Sequence, residues 1–218
     1  MISGYRIQIR ITFLEEILGT APNNPDIYRE FIASKAPDAK SMEEEVASIG
    51  VESVIEKAVT IFPKENGKPF CFDYMLKGFF KDTCAALNRT PKRISSQLKA
   101  FKKIINGNVF VFPRKIFFIF PEGATINHCE RPLRGQTPQG ERITLVSSET
   151  IPVGSSLEFE VLLLNKSLKS ALIEWLDFGE LSGLGQWRNS GKGRFTYEIL
   201  GENDERKKED IEAVPVIV

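Results

Sequence analysis

The residue types and spacing best suited to chemistry lie near the end of the chain, in Gly183-Leu184-Gly185-Gln186-Trp187-Arg188-Asn189-Ser190-Gly191-Lys192-Gly193-Arg194-Phe195. Two Gly-x-Gly pairs bracket a short polar stretch that carries an aromatic ring and a cation. Glycine reaches positive φ and lacks Cβ, so the chain there can bend sharply and approach a ligand closely. Successive N–H groups in such a bend form an anion-binding concavity. Arg188, Lys192 and Arg194 add positive charge, and Trp187 and Phe195 offer ring faces. These are the ingredients for holding a phosphodiester strand. Gly183, Gly185, Gly191 and Gly193 would serve equally in ordinary hairpin turns, with both rings in the core. The residue order of a Walker loop is absent. A Rossmann fingerprint is excluded as well, because Arg194 to Ile199 reads as a strand where that fingerprint opens a helix.

Three further groups of residues invite a chemical reading. Residues 89 to 115 carry Arg89, Lys92, Arg93, Lys99, Lys102, Lys103, Arg114 and Lys115 and no acid, whereas residues 15 to 56 carry ten acids and three bases. An acidic lobe beside a basic stripe can steer an anionic ligand to one face, although two solvated helix faces would look the same. The polar run Arg131 to Arg142, with Arg131 and Arg134 among its three arginines, reads as a long loop or hairpin tip. His128, the only histidine, precedes it. Its pKa range suits a general acid or base, but a histidine without a placed partner is as readily structural. Cys129 is a poor partner, since neighbours on a strand face opposite ways. No carboxylate pair or histidine cluster points to a metal, and no cofactor is expected.

Length and composition set the frame. A chain of 218 residues can bury a substantial core in one large domain or two small ones. A net charge of zero argues against a strongly basic nucleic-acid protein, so any such partner must meet a local patch. Sixteen Phe against two Trp and four Tyr put most aromatic surface in the core. No apolar run approaches the ~20 residues that cross a bilayer, and the start lacks a signal-peptide hydrophobic region. The expectation is no membrane partner. Cys71, Cys84 and Cys129 are odd in number and far apart, matching neither zinc spacing nor a disulfide framework. A reducing cytoplasm follows.

Periodicity supplies the elements. Tyr5 to Phe13 alternates apolar and polar residues, a half-buried strand. Gly19 to Pro25 reads as a loop, Pro25 to Lys35 and Met42 to Ala58 as surface helices. Asn66-Gly67 centres a hairpin turn. Asp73 is placed as the N-cap of a helix reaching about Asn88, with Lys77 and Lys81 four apart on one side. Pro91 to Ile105 reads as a second helix, ended by Asn106-Gly107-Asn108. Val109 to Phe112 and Lys115 to Phe120 form a β run interrupted by Pro113. Ile143 to Val146 and Ser156 to Leu164 are strands. Leu168 to Phe178 is a helix capped by Gly179. The order predicts an α+β fold with a ferredoxin-like or RRM-like antiparallel sheet core, inserted helices and a C-terminal glycine-rich loop. Residues 1–200 are expected to form one domain with a helical insertion at about 25–60, and 201–218 a charged, mobile tail.

Three segments in this order resemble a known family. They are Phe72-Asp73-Tyr74-Met75-Leu76-Lys77-Gly78-Phe79-Phe80-Lys81, the Pro-x-Gly turn into a Phe-rich strand at Glu149 to Val161, and the glycine segment. Together they resemble the RAMP superfamily of CRISPR-associated proteins, most of all the backbone subunits that polymerise along a guide RNA. In that family the first segment reads Pro-Gly-Ser-Ser-Leu-Lys-Gly, of which Leu76-Lys77-Gly78 stands here, after Cys71-Phe72-Asp73-Tyr74. The resemblance implies a helix facing RNA, a glycine-rich loop against it, and a projecting hairpin from which Arg131 and Arg134 act. RNA-cutting backbone members use an Asp after the first strand region, where this chain has Asp26, a residue equally placed to cap a helix. Processing members use His in metal-free cleavage, which makes His128 a second weak candidate.

The expected function is therefore a non-catalytic RNA-binding module with single-stranded RNA as partner, in a ribonucleoprotein with other subunits or copies of itself. Lys77, Lys81, Arg131, Arg134, Gly183, Gly185, Trp187, Arg188, Gly191, Lys192, Gly193 and Arg194 are the candidate binding residues. One alternative is a protein-interaction homologue, for example phage-borne, that mimics or blocks a CRISPR complex. A second is a metal-independent endoribonuclease.

Overall fold

The computed structural model describes residues 3–22, 58–137 and 140–204. Asp26, the expected helices at 25–35 and 42–58, most of the 25–60 insertion and the tail beyond Asp204 lie outside the described residues.

A sheet of seven strands forms the centre of the described chain. Its first strand, β1 (Tyr5–Phe13), buries Tyr5, Ile7, Ile9, Ile11 and Phe13 on one face, as the alternation requires. β2 (Ile17–Leu18), β3 (Ala21–Pro22) and β4 (Ala58–Ile61) belong to a second sheet. β5 (Lys64–Glu65) and β6 (Lys68–Phe72) make the expected hairpin, with Asn66 at φ 50° and Gly67 at φ 76°. Helix α1 (Asp73–Leu87) follows directly and buries Leu76, Phe79, Phe80, Cys84 and Leu87. After it come helix α2 (Phe101–Asn108), β7 (Val109–Phe112) and β8 (Lys115–Ile119), with a cis Phe112–Pro113 bond between the strands. β9 (Asn127–Thr137) and β10 (Gly140–Ile151) pair along their length as a long hairpin. β11 (Ser156–Leu163), helix α3 (Lys169–Asp177), the short helix α4 (Gly179–Ser182) and β12 (Phe195–Asp204) complete the described chain.

In the main sheet the order is β12-β1-β11-β8-β6-β5, and β7 also pairs with β11. Its pairings are antiparallel. α1 and α3 cover one face, where Phe80 and the fully buried Trp175 meet at 5.8 Å and Phe79 meets Phe195 at 5.2 Å. On the other face, Arg6 and Gln8 reach Glu160, and Arg10 reaches Glu158 and Glu198. In the second sheet, of order β2-β10-β4-β3, β10 and β4 run parallel. The chain is α+β as expected, but this pair breaks the antiparallel rule.

Several boundaries differ from expectation for physical reasons. Phe72, not Asp73, is the N-cap of α1, and no side chain caps that end. Asp73 lies in the first turn and pairs with Arg114 at 3.2 Å. The helix expected over 91–105 is a single 3-10 turn, Ser95–Gln97, followed by α2, which continues through the expected stop at Asn106-Gly107-Asn108. The cause is tertiary: the Glu174 carboxylate accepts from the N–H of Ile94 and Ser95 and from Ser95 Oγ, which removes those donors from a helical ladder. Trp175 Nε1 also donates to Ser95 Oγ at 2.9 Å. Gly179 is not a C-cap. It opens α4, and a Cβ there would lie 2.4 Å from the Phe195 ring. The left-handed glycine that ends the helical region is Gly183, at φ 70°. β12 reaches Asp204 and pairs with β1 throughout, past the tail boundary expected at 200.

Candidate nucleic-acid interface

α1 positions the site. Its apolar stripe turns inward, which leaves Tyr74, Met75, Gly78 and Asp82 on the outer face at helical spacing. These residues form one wall of a cleft of about 250 Å³ whose other wall is Leu184, Gly185 and Arg188, with Thr20 at one end. Gly78 sits inside a helix, where glycine costs roughly 1 kcal/mol relative to Ala. Among the described residues, no atom outside its own stretch of helix lies within 4 Å of where its Cβ would be, so packing among those residues does not demand a glycine.

The glycine segment is tightly built. Gly193 donates to Glu16 O, Leu184 to Gly193 O, Gly191 to Arg188 O, Ser190 to Trp187 O and Gly183 to Gly179 O. Those five N–H groups are spent on protein carbonyls. Gly183, Gly185, Gly191 and Gly193 all have positive φ. A Cβ on Gly193 would stand 1.9 Å from Leu184 O, and one on Gly183 would stand 2.6 Å from Lys192 O. These two glycines serve close backbone packing. Phe195 is fully buried against Phe13 and Phe79 and presents no ring to a ligand.

Each cation of this segment has a carboxylate. Arg188 meets Asp82 at 3.3 Å, Lys192 meets Glu16 at 2.5 Å, and Arg194 meets Glu15 at 3.5 Å. Sequence reasoning missed these three acids; Glu15-Glu16 at the end of β1 was the available signal.

The opposite flank of α1 is different. Lys77 Nζ donates to Asn106 O at 3.1 Å and stands 4.8 Å over the Phe110 ring, with no carboxylate at ion-pair distance among the described residues. Burial, and then the charge of Lys81, push its pKa down against the pull of Asp73. Lys81 is lowered too, first by burial and then by Lys102, with Asp82 opposing. Beyond them a groove of about 450 Å³ is lined by Lys99, Lys102 and Lys103 together with Asn88, Ser96 and Phe101. Sequence analysis noted this basic stripe but named none of its lysines as site residues.

On the hairpin, Arg131 lies on β9 opposite Val146. Its Nη1 donates to Ser148 Oγ at 3.3 Å, its Nη2 to Gln186 Oε1 at 3.1 Å, and its guanidinium lies 5.0 Å from the Trp187 ring centroid. Gln186 in turn donates to Gly19 O. Gln186, also missed by sequence reasoning, thus joins hairpin, glycine segment and the β2 corner. Arg134 lies further along β9, opposite Ile143. His128 is exposed opposite Glu149, and among the described residues its side chain makes no hydrogen bond or ion pair. Among those residues no group of three His, Cys, Asp or Glu is placed to hold a metal, and no helix is long and apolar enough to cross a membrane.

No family model and no curated protein matches the sequence. The fold does have known counterparts. One is a chain in the cryo-EM structure of the type III-B Cmr-beta bound to cognate target RNA, with a TM-score of 0.52 and 10% identity over 93% of this chain. This chain spans only 61% of that one. Another is a chain of a type IV-B CRISPR complex, with a TM-score of 0.44 and 12% identity over 94% of this chain and 96% of that one. The likeness to the first of these is one of fold, an α+β architecture.

Proposed function

We propose that this protein is an RNA-binding, RAMP-type component of a CRISPR-related ribonucleoprotein, and that it holds single-stranded RNA across the outer face of α1. One observation carries the reading: α1 sets Lys77 and Lys81, with no carboxylate at ion-pair distance among the described residues, on one flank and, on the other, a cleft whose wall includes a helical glycine that packing among those residues does not require. Phosphates would meet the lysines while the strand crosses Gly78 at close range. Arg131, Arg134 and the glycine segment would border that path. The strand order β12-β1-β11-β7, joined through α1 and α3, supports a ferredoxin-like core. Other subunits or further copies of the chain are the natural protein partners.

The test is filter binding of a mixed-sequence 20-nucleotide RNA at 50 and 200 mM salt. Salt-sensitive binding that weakens in a folded Lys77→Ala/Lys81→Ala variant is the expected result. No binding at 50 mM rejects the proposal. A second reading has its own support. The ion pairing of all three glycine-segment cations fits a protein that occupies a place in such a complex without gripping RNA there.

A further inference from the structure

Three local rules are broken within one contact. Trp187 adopts φ 55° and ψ 34°, a left-handed backbone that is costly for any residue with a Cβ. It also stays 41% exposed, while the other tryptophan, Trp175, is fully buried. Arg131, beneath the Trp187 ring, is only 6% exposed, yet its described partners are neutral: Ser148 Oγ, Gln186 Oε1 and the ring itself. Its Nε is buried with no hydrogen-bond partner. A buried cation normally takes a carboxylate, because desolvation otherwise goes uncompensated. The neighbouring Arg188, Lys192 and Arg194, all more exposed than Arg131, each have a carboxylate. Departures that coincide in one place mark a site held for a ligand rather than for stability.

We propose that Trp187 is a stacking platform for one unpaired nucleobase, with Arg131 as the positioning residue that holds the ring from behind. The guanidinium covers one face and keeps the indole fixed, so the other face meets a base without first losing side-chain freedom. Neutral hydrogen-bond partners leave the positive charge of Arg131 undiminished. That charge strengthens the pull of the platform on the phosphates flanking the base. Gln186, bonded to both Arg131 and Gly19 O, fixes the guanidinium in turn. The ligand class is a single-stranded nucleic acid with accessible bases; a duplex hides its base faces and is a poor fit. This inference rests on the RNA-binding reading but adds a requirement for the base itself.

The test compares a 12-nucleotide RNA with the same strand carrying abasic sites, by affinity and by tryptophan emission. Trp187→Phe supplies the emission of the buried Trp175 for subtraction. Wild type should bind the intact strand about tenfold more tightly than the abasic one and show quenching of Trp187. Trp187→Ala should bind both strands alike. Arg131→Met should keep its thermal midpoint, because an uncompensated buried charge is replaced by an apolar chain of similar length, yet lose most of the quenching. Arg131→Lys should restore part of it. If wild type binds RNA but treats intact and abasic strands alike, or if Trp187→Ala changes nothing, the platform is rejected while RNA binding stands. Equal affinity for a base-free polyphosphate also rejects it. No binding of any strand removes the underlying reading instead.

Discussion

The glycine segment and the α1–α2 face are both rich in cations, and the structure uses them in opposite ways. In the glycine segment, positive charge is matched one for one by Asp82, Glu16 and Glu15, and five backbone donors return to protein carbonyls. Across α1, Lys77 and Lys81 face the lysines of the 99–103 groove with no such matching among the described residues. Burial lowers the pKa of both, helped by Lys81 at Lys77 and by Lys102 at Lys81. The first region is a shaped wall, the second an electrostatic one. A count of cations along the sequence ranks the two alike. Their capacity to hold a phosphate depends on which carboxylates the fold brings to each.

The largest effect that separates shape from charge is expected at Gly193. A methyl there meets Leu184 O at 1.9 Å, and the φ of 71° is itself unfavourable for a side chain. Gly193→Ala should destabilise by roughly 3 kcal/mol or more, read from urea unfolding. Gly191→Ala, whose Cβ meets nothing closer than 3.6 Å, should cost only about 1–2 kcal/mol from the same dihedral penalty. Equal costs at the two positions would mean that close packing does not define this wall.

Next comes binding. Replacing Lys77, Lys81 and Lys102 with Ala should lower the slope of log affinity against log salt by about two for single-stranded RNA. Replacing Arg188, Lys192 and Arg194 should lower it by less than half as much, because those cations are already paired. The comparison breaks if the second set has the larger effect.

A gain of function sharpens the same contrast. Glu15→Gln, Glu16→Gln and Asp82→Asn together should free three cations and raise RNA affinity by about tenfold at low salt. The thermal midpoint should change little, as exposed ion pairs contribute roughly 0–1 kcal/mol each. Unchanged affinity would show that the segment lies off the RNA path.

How much of this was legible in the sequence follows from the range of the interactions concerned. Where neighbours along the chain decide, the reading held: the alternation of β1 and the Asn66-Gly67 turn are local patterns. Where distant residues decide, it failed. The helix expected over 91–105 yields to Glu174, about 80 positions away. Gly179 is small because Phe195 lies against it, not because a helix ends there. Lys192 finds Glu16 across 176 positions. Of the residue types singled out in advance, Gly185 and Arg188 line the cleft beside α1. The electrostatics of the site were not legible, since pairing is set by tertiary contact. Gln186 gave no advance signal at all.

The smallest expected effect concerns the clip that presents the basic segment. Glu174 accepts from Ile94 N, Ser95 N and Ser95 Oγ. Burial alone would raise its pKa, but the hydrogen bonds from Ser95 and Ile94 and the charge of Arg93 outweigh burial and hold it below the ordinary value of 4.5. A carboxylate lowered in the folded state contributes stability above its unfolded pKa and loses it as pH falls through the native one. Glu174→Gln keeps one acceptor but removes the charge, and should cost about 1 kcal/mol near pH 7. The difference from wild type should shrink as pH drops below about 4.5, measured as unfolding midpoints across the acid range. Because the lysines of the 99–103 groove follow this clip, the variant should also weaken RNA binding slightly at neutral pH, with the salt slope intact. A pH-independent difference would show that the hydrogen bonds act without the charge, and the basic face would then owe its position to the packing of Trp175 against Ser95 instead.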